Sequence, residues 1–175
     1  MKAIVWLLPL LFILHDMEEI ILAIPWKNSE APKKRFIRVR FVPFGTFFNT
    51  ESFSIAVCEE LLLLTLVSAF GYFTGHYELW LGFLAANILH LILIHFIGTA
   101  LVYRSYVPGA ITALLTMIPC CLIFLDALHL LQYPVWKLIL SVAAGTVVAA
   151  VNMKLLHRYG EVFTDRSEEH TSELQ

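Results

Sequence analysis

A chain of 175 residues that is 59% hydrophobic and 15% charged, with a mean hydropathy of +0.76, cannot be an ordinary soluble domain, where about 45–50% of residues are apolar. Its formal charge is −2, and its three cysteines, Cys58, Cys120 and Cys121, lie in apolar stretches without the C-x-x-C spacing of a zinc or redox site. The composition predicts one domain over residues 1–160, an all-α integral membrane helix bundle of about five transmembrane helices. The apolar runs are 3–25, 53–73, 79–102, 109–131 and 134–156, each long enough to cross about 30 Å of hydrocarbon.

The first run holds His15-Asp16-Met17-Glu18-Glu19. Ionisable groups at that depth cost roughly 2.5–3.5 kcal/mol each to insert, so they default to function. On a helix, His15, Glu18 and Glu19 stand at i, i+3 and i+4 and share a face. Lys2 ahead of an apolar stretch imitates a signal peptide, but no A-x-A-like site precedes His15, and an uncleaved spanning helix is expected. The loop that follows, 33–48, interleaves Lys and Arg with Phe36, Phe41, Phe44, Phe47 and Phe48. Between two spans, that mixture predicts a segment lying in the lipid interface rather than a nucleic-acid contact.

The second run carries Glu59 and Glu60, which differ by 100° on a helix, so that one faces elsewhere. The third contains Asn87, His90 and His95 and no Lys, Arg, Asp or Glu from Leu79 to Tyr103. Asn87 reads as an interhelical hydrogen-bond donor. The fourth opens at Pro108-Gly109, with Pro108 suited to a first helical turn, and Pro119 is expected to kink it. Asp126 and His129, at i and i+3, could pair near the outer surface. The fifth run is rich in small residues, among them Ser141, Ala144, Gly145 and Ala149, which favour close helix packing. Trp6, Trp26, Trp80 and Trp136 read as interfacial anchors.

Lys and Arg crowd the first loop and recur at Arg104, Lys154 and Arg158, whereas the turn at Gly75-His76 has none. This alternation predicts an N-terminus outside and a C-terminus in the cytoplasm of a bacterial-type membrane. Residues 166–175 read as a translated DNA-sequencing adapter, since AGATCGGAAGAGCACACGTCTGAACTCCAG encodes them in one frame. This tail carries Arg166 against Glu168, Glu169 and Glu173, so that without it the formal charge of −2 becomes zero. It is expected to be no domain, with the native C-terminus lying elsewhere.

Depth ties the polar groups together. At about 1.5 Å per residue, Glu18 and Glu19 lie about 6–8 Å to the cytoplasmic side of the centre, Glu59 and Glu60 about 4–6 Å, and His95 about 7–8 Å, with His15 and His90 nearer the midplane. No Lys or Arg shares that level, and four carboxylates cannot all stay ionised beside neutral imidazoles. Either some are protonated or a divalent cation binds them. A shell of His and carboxylate suits zinc, iron or manganese.

His15-x-x-Glu18-Glu19 near the front of a small multi-span chain resembles the HXXEE-domain family, named after that motif. Tyr106-Val107-Pro108-Gly109-x-x-Thr112 is similar to that family's Pro-Gly region, and the preceding helix with its Asn and His is similar too. The resemblance covers most of 1–160 and implies a membrane fold with no activity assigned. The family's N-x-x-x-H is one residue shorter here, as Asn87-Ile88-Leu89-His90. His90 and His95 would stand about 140° apart on an α-helix, so only one of them is expected to face the cluster. The motif also resembles the inverted zinc-protease pattern H-x-x-E-H. That likeness implies His15 and Glu19 as metal ligands and Glu18 as the general base, with Glu59 or Glu60 and His90 or His95 completing the shell. A metal-dependent membrane hydrolase acting on a substrate with an apolar part is the leading expectation. A proton- or metal-coupled carrier is the first rival, disfavoured by the absence of internal repeats. A non-catalytic scaffold is the second. The substrate and the oligomeric state are open.

Overall fold

The computed structural model describes residues 1–29, 44, 47, 49–103 and 105–173. Most of the loop read as interfacial, together with Arg104 and the last two residues of the tail, lies outside the described residues. Among the described residues there are five long helices and no strand: α1 (Leu7–Asn28), α2 (Thr50–Thr74), α3 (Glu78–His90), α4 (Ala110–Leu131) and α5 (Val135–Glu173). The third passes directly into a π-helical segment, Leu91–Tyr103. Four stretches, Thr50–Thr74, Glu78–Gly98, Ala110–Leu131 and Val135–Tyr159, are long and apolar enough to cross a membrane. Helix α1 matches them in length, with 22 residues, but carries Asp16, Glu18, Glu19 and Lys27. The fold is an all-α membrane helix bundle.

Punctuation residues set the ends. Asn49 caps α2, its side chain accepting from the Ser52 N–H at 2.8 Å, and Gly75 closes the helix in the left-handed region at φ 77°. Gln132 takes φ 47° at the tight turn before α5. Helix α4 begins after Pro108 rather than at it, with Gly109 at the cap position and φ 87°. Helix α5 runs well beyond its apolar run, its backbone remaining helical through the adapter-like tail to Glu173. No proline interrupts that polar sequence.

The core lies where α3 packs against α5 and α2 and against the Val5 backbone just ahead of α1. Trp80, expected at an interface, is fully buried there, and the reason begins at Pro9. Proline has no N–H, so the Val5 carbonyl one turn earlier lacks its helical partner. Trp80 Nε1 donates to it at 2.9 Å and Ser68 Oγ at 2.8 Å. Trp6 and Trp136, 38% and 64% exposed, keep positions compatible with anchoring. The small residues of α5 meet α3 at a glycine pair. A Cβ added at Gly82 would lie 2.9 Å from the Gly145 Cα, so the two backbones touch. Asn87 bridges helices as expected, its Nδ2 donating to Cys120 Sγ at 3.6 Å.

Candidate metal centre

Helix α1 buries one stripe: Leu8, Phe12, His15, Asp16, Glu19 and Ala23. The spacing is that of an apolar helix face, with three polar groups set into its middle. Glu18 falls off the stripe and is half-buried. The stripe faces α2 on one side and α4 with the π-helical segment on the other.

Three imidazoles converge against it. His15 Nε2 lies 3.1 Å from His95 Nε2, and His95 Nε2 lies 3.2 Å from His90 Nε2. All three offer a nitrogen within 4.8 Å of the others. The expectation that only one of His90 and His95 faces the cluster therefore fails, and the cause is local geometry. An α-helix would rotate residues five apart away from each other. The chain switches at Leu91 to i→i+5 hydrogen bonding, whose wider turn brings residues five apart nearer to one face. The two rings stand with centroids 5.0 Å apart, and both point at His15.

Carboxylates close the other side. Glu19 Oε1 lies 3.2 Å from His95 Nε2 and 4.0 Å from His15 Nε2. Asp16 Oδ1 is 3.9 Å from His15 Nε2, and His15, Asp16 and Glu19 form a second compact group. Neither group includes Glu59 or Glu60. Glu60 belongs to the buried stripe of α2 and lies within electrostatic range of Asp16, whereas Glu59, 100° around the helix, is exposed. Both accept instead from Asn152 Nδ2 of α5, at 3.0 Å and 3.3 Å. Asp126 and His129 are both exposed on α4, outside these groups.

Glu18 has its own partners. Its Oε1 accepts from the Tyr106 hydroxyl at 2.6 Å. Its Oε2 accepts from the Thr112 N–H at 2.8 Å and the Thr112 hydroxyl at 2.6 Å. Gly109 offers no side-chain cap to α4, so a carboxylate from another helix satisfies the exposed N–H at the positive end of the helix dipole. Burial and the adjacent Glu18 carboxylate push the Tyr106 hydroxyl above its ordinary pKa, so it remains a donor. The short bond to Glu18 claims the Thr112 proton. The remaining lone pair on Thr112 Oγ1 then accepts from His15 Nδ1, 3.1 Å away. That assigns His15 the Nδ1–H tautomer and leaves Nε2 bare toward the other imidazoles.

Gly109 is the seat of the whole arrangement. A Cβ there would lie 2.5 Å from Glu19 Oε1 and 2.6 Å from His95 Cε1, and its positive φ already favours glycine. Sequence reasoning gave Asp16, Thr112, Tyr106 and Gly109 no role in the site. Asp16 was legible as the i−3 neighbour of Glu19 on the buried stripe. The other three stand in the Pro-Gly stretch, and nothing in their spacing announces contact with α1.

Each of the two compact groups could hold a metal ion. A tetrahedral ion with nitrogens at 2.0–2.1 Å holds neighbouring ligands about 3.3–3.4 Å apart, close to the 3.1 Å and 3.2 Å separations found here. Neutral imidazole and carboxylate are donors for zinc, iron or manganese.

Comparison with known proteins bears on the same residues. The relative "Uncharacterized protein YrkK" of Bacillus subtilis (strain 168) is 27% identical over 154 residues, covering 85% of this chain and 89% of its own. No solved structure matches. The family described as "Protein of unknown function with HXXEE motif" matches residues 6–124, which include His15, Glu18, Glu19, His90, His95 and the Gly109–Thr112 turn. With more than half of its length matched, the chain belongs to the HXXEE family.

Proposed function

We propose that this protein is a metal-dependent membrane enzyme, hydrolase-like in chemistry, whose metal is held by His15, His90 and His95 with Glu19. The observation that carries this reading is the convergence of three imidazole nitrogens within 4.8 Å of one another, with Glu19 Oε1 3.2 Å from His95 Nε2. A bound divalent ion would supply Lewis acidity and a nucleophilic water at neutral pH. Asp16, whose Oδ1 lies 3.9 Å from His15 Nε2, would serve as the proton acceptor at the centre. Glu18, expected from the sequence as general base, is engaged by three donors. Its proposed part is to orient His15 through Thr112, as second partners of metal-bound histidines commonly do. Glu59 and Glu60 take no ligand role in this reading.

A carrier remains the rival that one observation favours. Glu60 extends the buried polar groups from Asp16 toward Asn152 and exposed Glu59, which resembles a path for a proton or cation. The proposed orientation keeps the N-terminus outside and the C-terminus cytoplasmic, from the Lys and Arg distribution. The site then sits in the cytoplasmic half of the bilayer, beside the start of α4.

Metal content of the purified protein, prepared without chelator, tests the reading. Near-stoichiometric zinc, iron or manganese is expected in the wild type. It should fall at least about tenfold in His15→Ala and His90→Ala variants that retain their helical content. A folded wild type without metal would sink the metalloenzyme reading and favour proton coupling.

A further inference from the structure

His95 has a second face. Beside it, between the π-helical segment and α4, lies a cavity of about 110 Å³ bordered by His95, Phe96, Ala110, Ala113, Leu114 and Met117. Apart from the imidazole, every one of these side chains is apolar. Phe96 and Leu114, 57% and 55% exposed, stand on the outer surface of two membrane-spanning stretches, so the mouth opens sideways into hydrocarbon rather than along the bundle axis. At the inner end is the imidazole whose Nε2 touches His15, His90 and Glu19. Ala113 is 4% exposed, and its small side chain leaves the space that a Leu or Phe would fill. The cavity is somewhat smaller than the engineered cavity of about 150 Å³ that holds benzene, and so suits a few methylenes of a single chain rather than a ring system.

We propose that this cavity is the substrate-access cleft of the metal centre and receives the alkyl segment of an amphiphile entering laterally from the bilayer. The inference rests on the metalloenzyme reading for its chemistry but not for its geometry. A water-soluble substrate would meet an apolar, lipid-facing mouth and find no polar group short of His95. An alkyl chain already in the bilayer reaches the imidazole without crossing water. Such a chain would come from a membrane lipid or from a free fatty acid, which share this chemistry.

The test uses the full chain reconstituted in phosphatidylcholine vesicles with a palmitic acid probe bearing a mid-chain diazirine. After irradiation, labelling is mapped by mass spectrometry on 91–117, alongside metal content of the same samples. Saturable labelling at Met117 or His95, competed by unlabelled palmitate, is expected. It should fall at least about tenfold when the space is filled by Ala113→Phe. Leu114→Trp at the lipid-facing mouth should lower it too, and serves if Ala113→Phe does not fold. Saturable labelling resistant to palmitate but displaced by lysophosphatidylcholine would support the cleft with a lipid as the chain's source. Labelling that rises linearly with probe and is unchanged in both variants would reflect annular lipid and overturn the proposal. Saturable labelling on protein devoid of metal would leave the cleft standing and the metalloenzyme reading fallen. Retained metal with non-saturable labelling would do the reverse.

Discussion

At the scale of single residues, the most telling position is Gly109. It combines a left-handed backbone with direct contact to two site residues, so Gly109→Ala adds a methyl group where none fits. We expect metal binding to fall by at least about tenfold in Gly109→Ala, with helical content by circular dichroism retained. Unchanged metal would show that the turn can retreat from Glu19 and His95. Thr112→Val probes the Glu18–Thr112–His15 connection. It removes the hydroxyl while keeping the shape and the backbone N–H bond to Glu18, so metal affinity should drop about 10–100-fold, the effect usual for a lost partner of a ligating histidine. An affinity equal to wild type by competition with a chelating dye would remove Thr112 from the site. Away from the centre, Trp80→Phe deletes one of the two donors to the Val5 carbonyl and retains most of the packing. A loss of about 1 kcal/mol is expected in a denaturation equilibrium.

At the scale of elements, the switch from α3 to the π-helical segment matters most, because it brings His90 and His95 to one face. Exchanging neighbours in the double variant Ile94→His with His95→Ile keeps composition and hydropathy constant. In an α-helix that change would improve alignment, since residues four apart stack. In the i→i+5 segment it turns the imidazole away. Metal loss of at least about tenfold is therefore expected, and retention would mean that the helix continues as α past Leu91. The glycine contact between α3 and α5 belongs to the same scale. Gly145→Leu cannot be accommodated while the Gly82 backbone lies against it, so α5 should detach or tilt. That is measurable as increased proteolysis of the turn at Tyr133-Pro134, and an undisturbed bundle would place the variability of this packing elsewhere.

At the scale of the molecule, the bundle buries a compact polar centre close to one end and surrounds it with helices that present hydrocarbon outward. The turn preceding α4 contributes to this enclosure, since Val107, Pro108 and Gly109 are all buried. Among the described residues, the ion contacts of the centre join carboxylates to imidazoles only, a pattern that a cation would balance. Asn152 ties α5 to Glu59 and Glu60 of α2 through hydrogen bonds, and Gly145 ties it to Gly82 of α3.

Membership in the bundle class was legible from composition, since apolar runs of hydrocarbon length admit few folds other than helices. The buried face of α1 was legible only in part: the helical period put His15 and Glu19 together, but the structure buries Asp16 beside them and leaves Glu18 off the stripe. Shared depth in the sequence suggested that Glu59 and Glu60 join the cluster, but depth says nothing about direction around a second helix. Only the packed bundle turned Glu60 toward α1 and Glu59 outward to Asn152. Only the change of helical type at Leu91 joined two histidines that an α-helix would separate, and periodicity cannot announce a change in its own period. The partnership of Glu18 with Tyr106 and Thr112 spans about ninety residues of chain. Contacts of that kind depend on where two helix ends meet in space, which is a property of tertiary packing and not of local sequence.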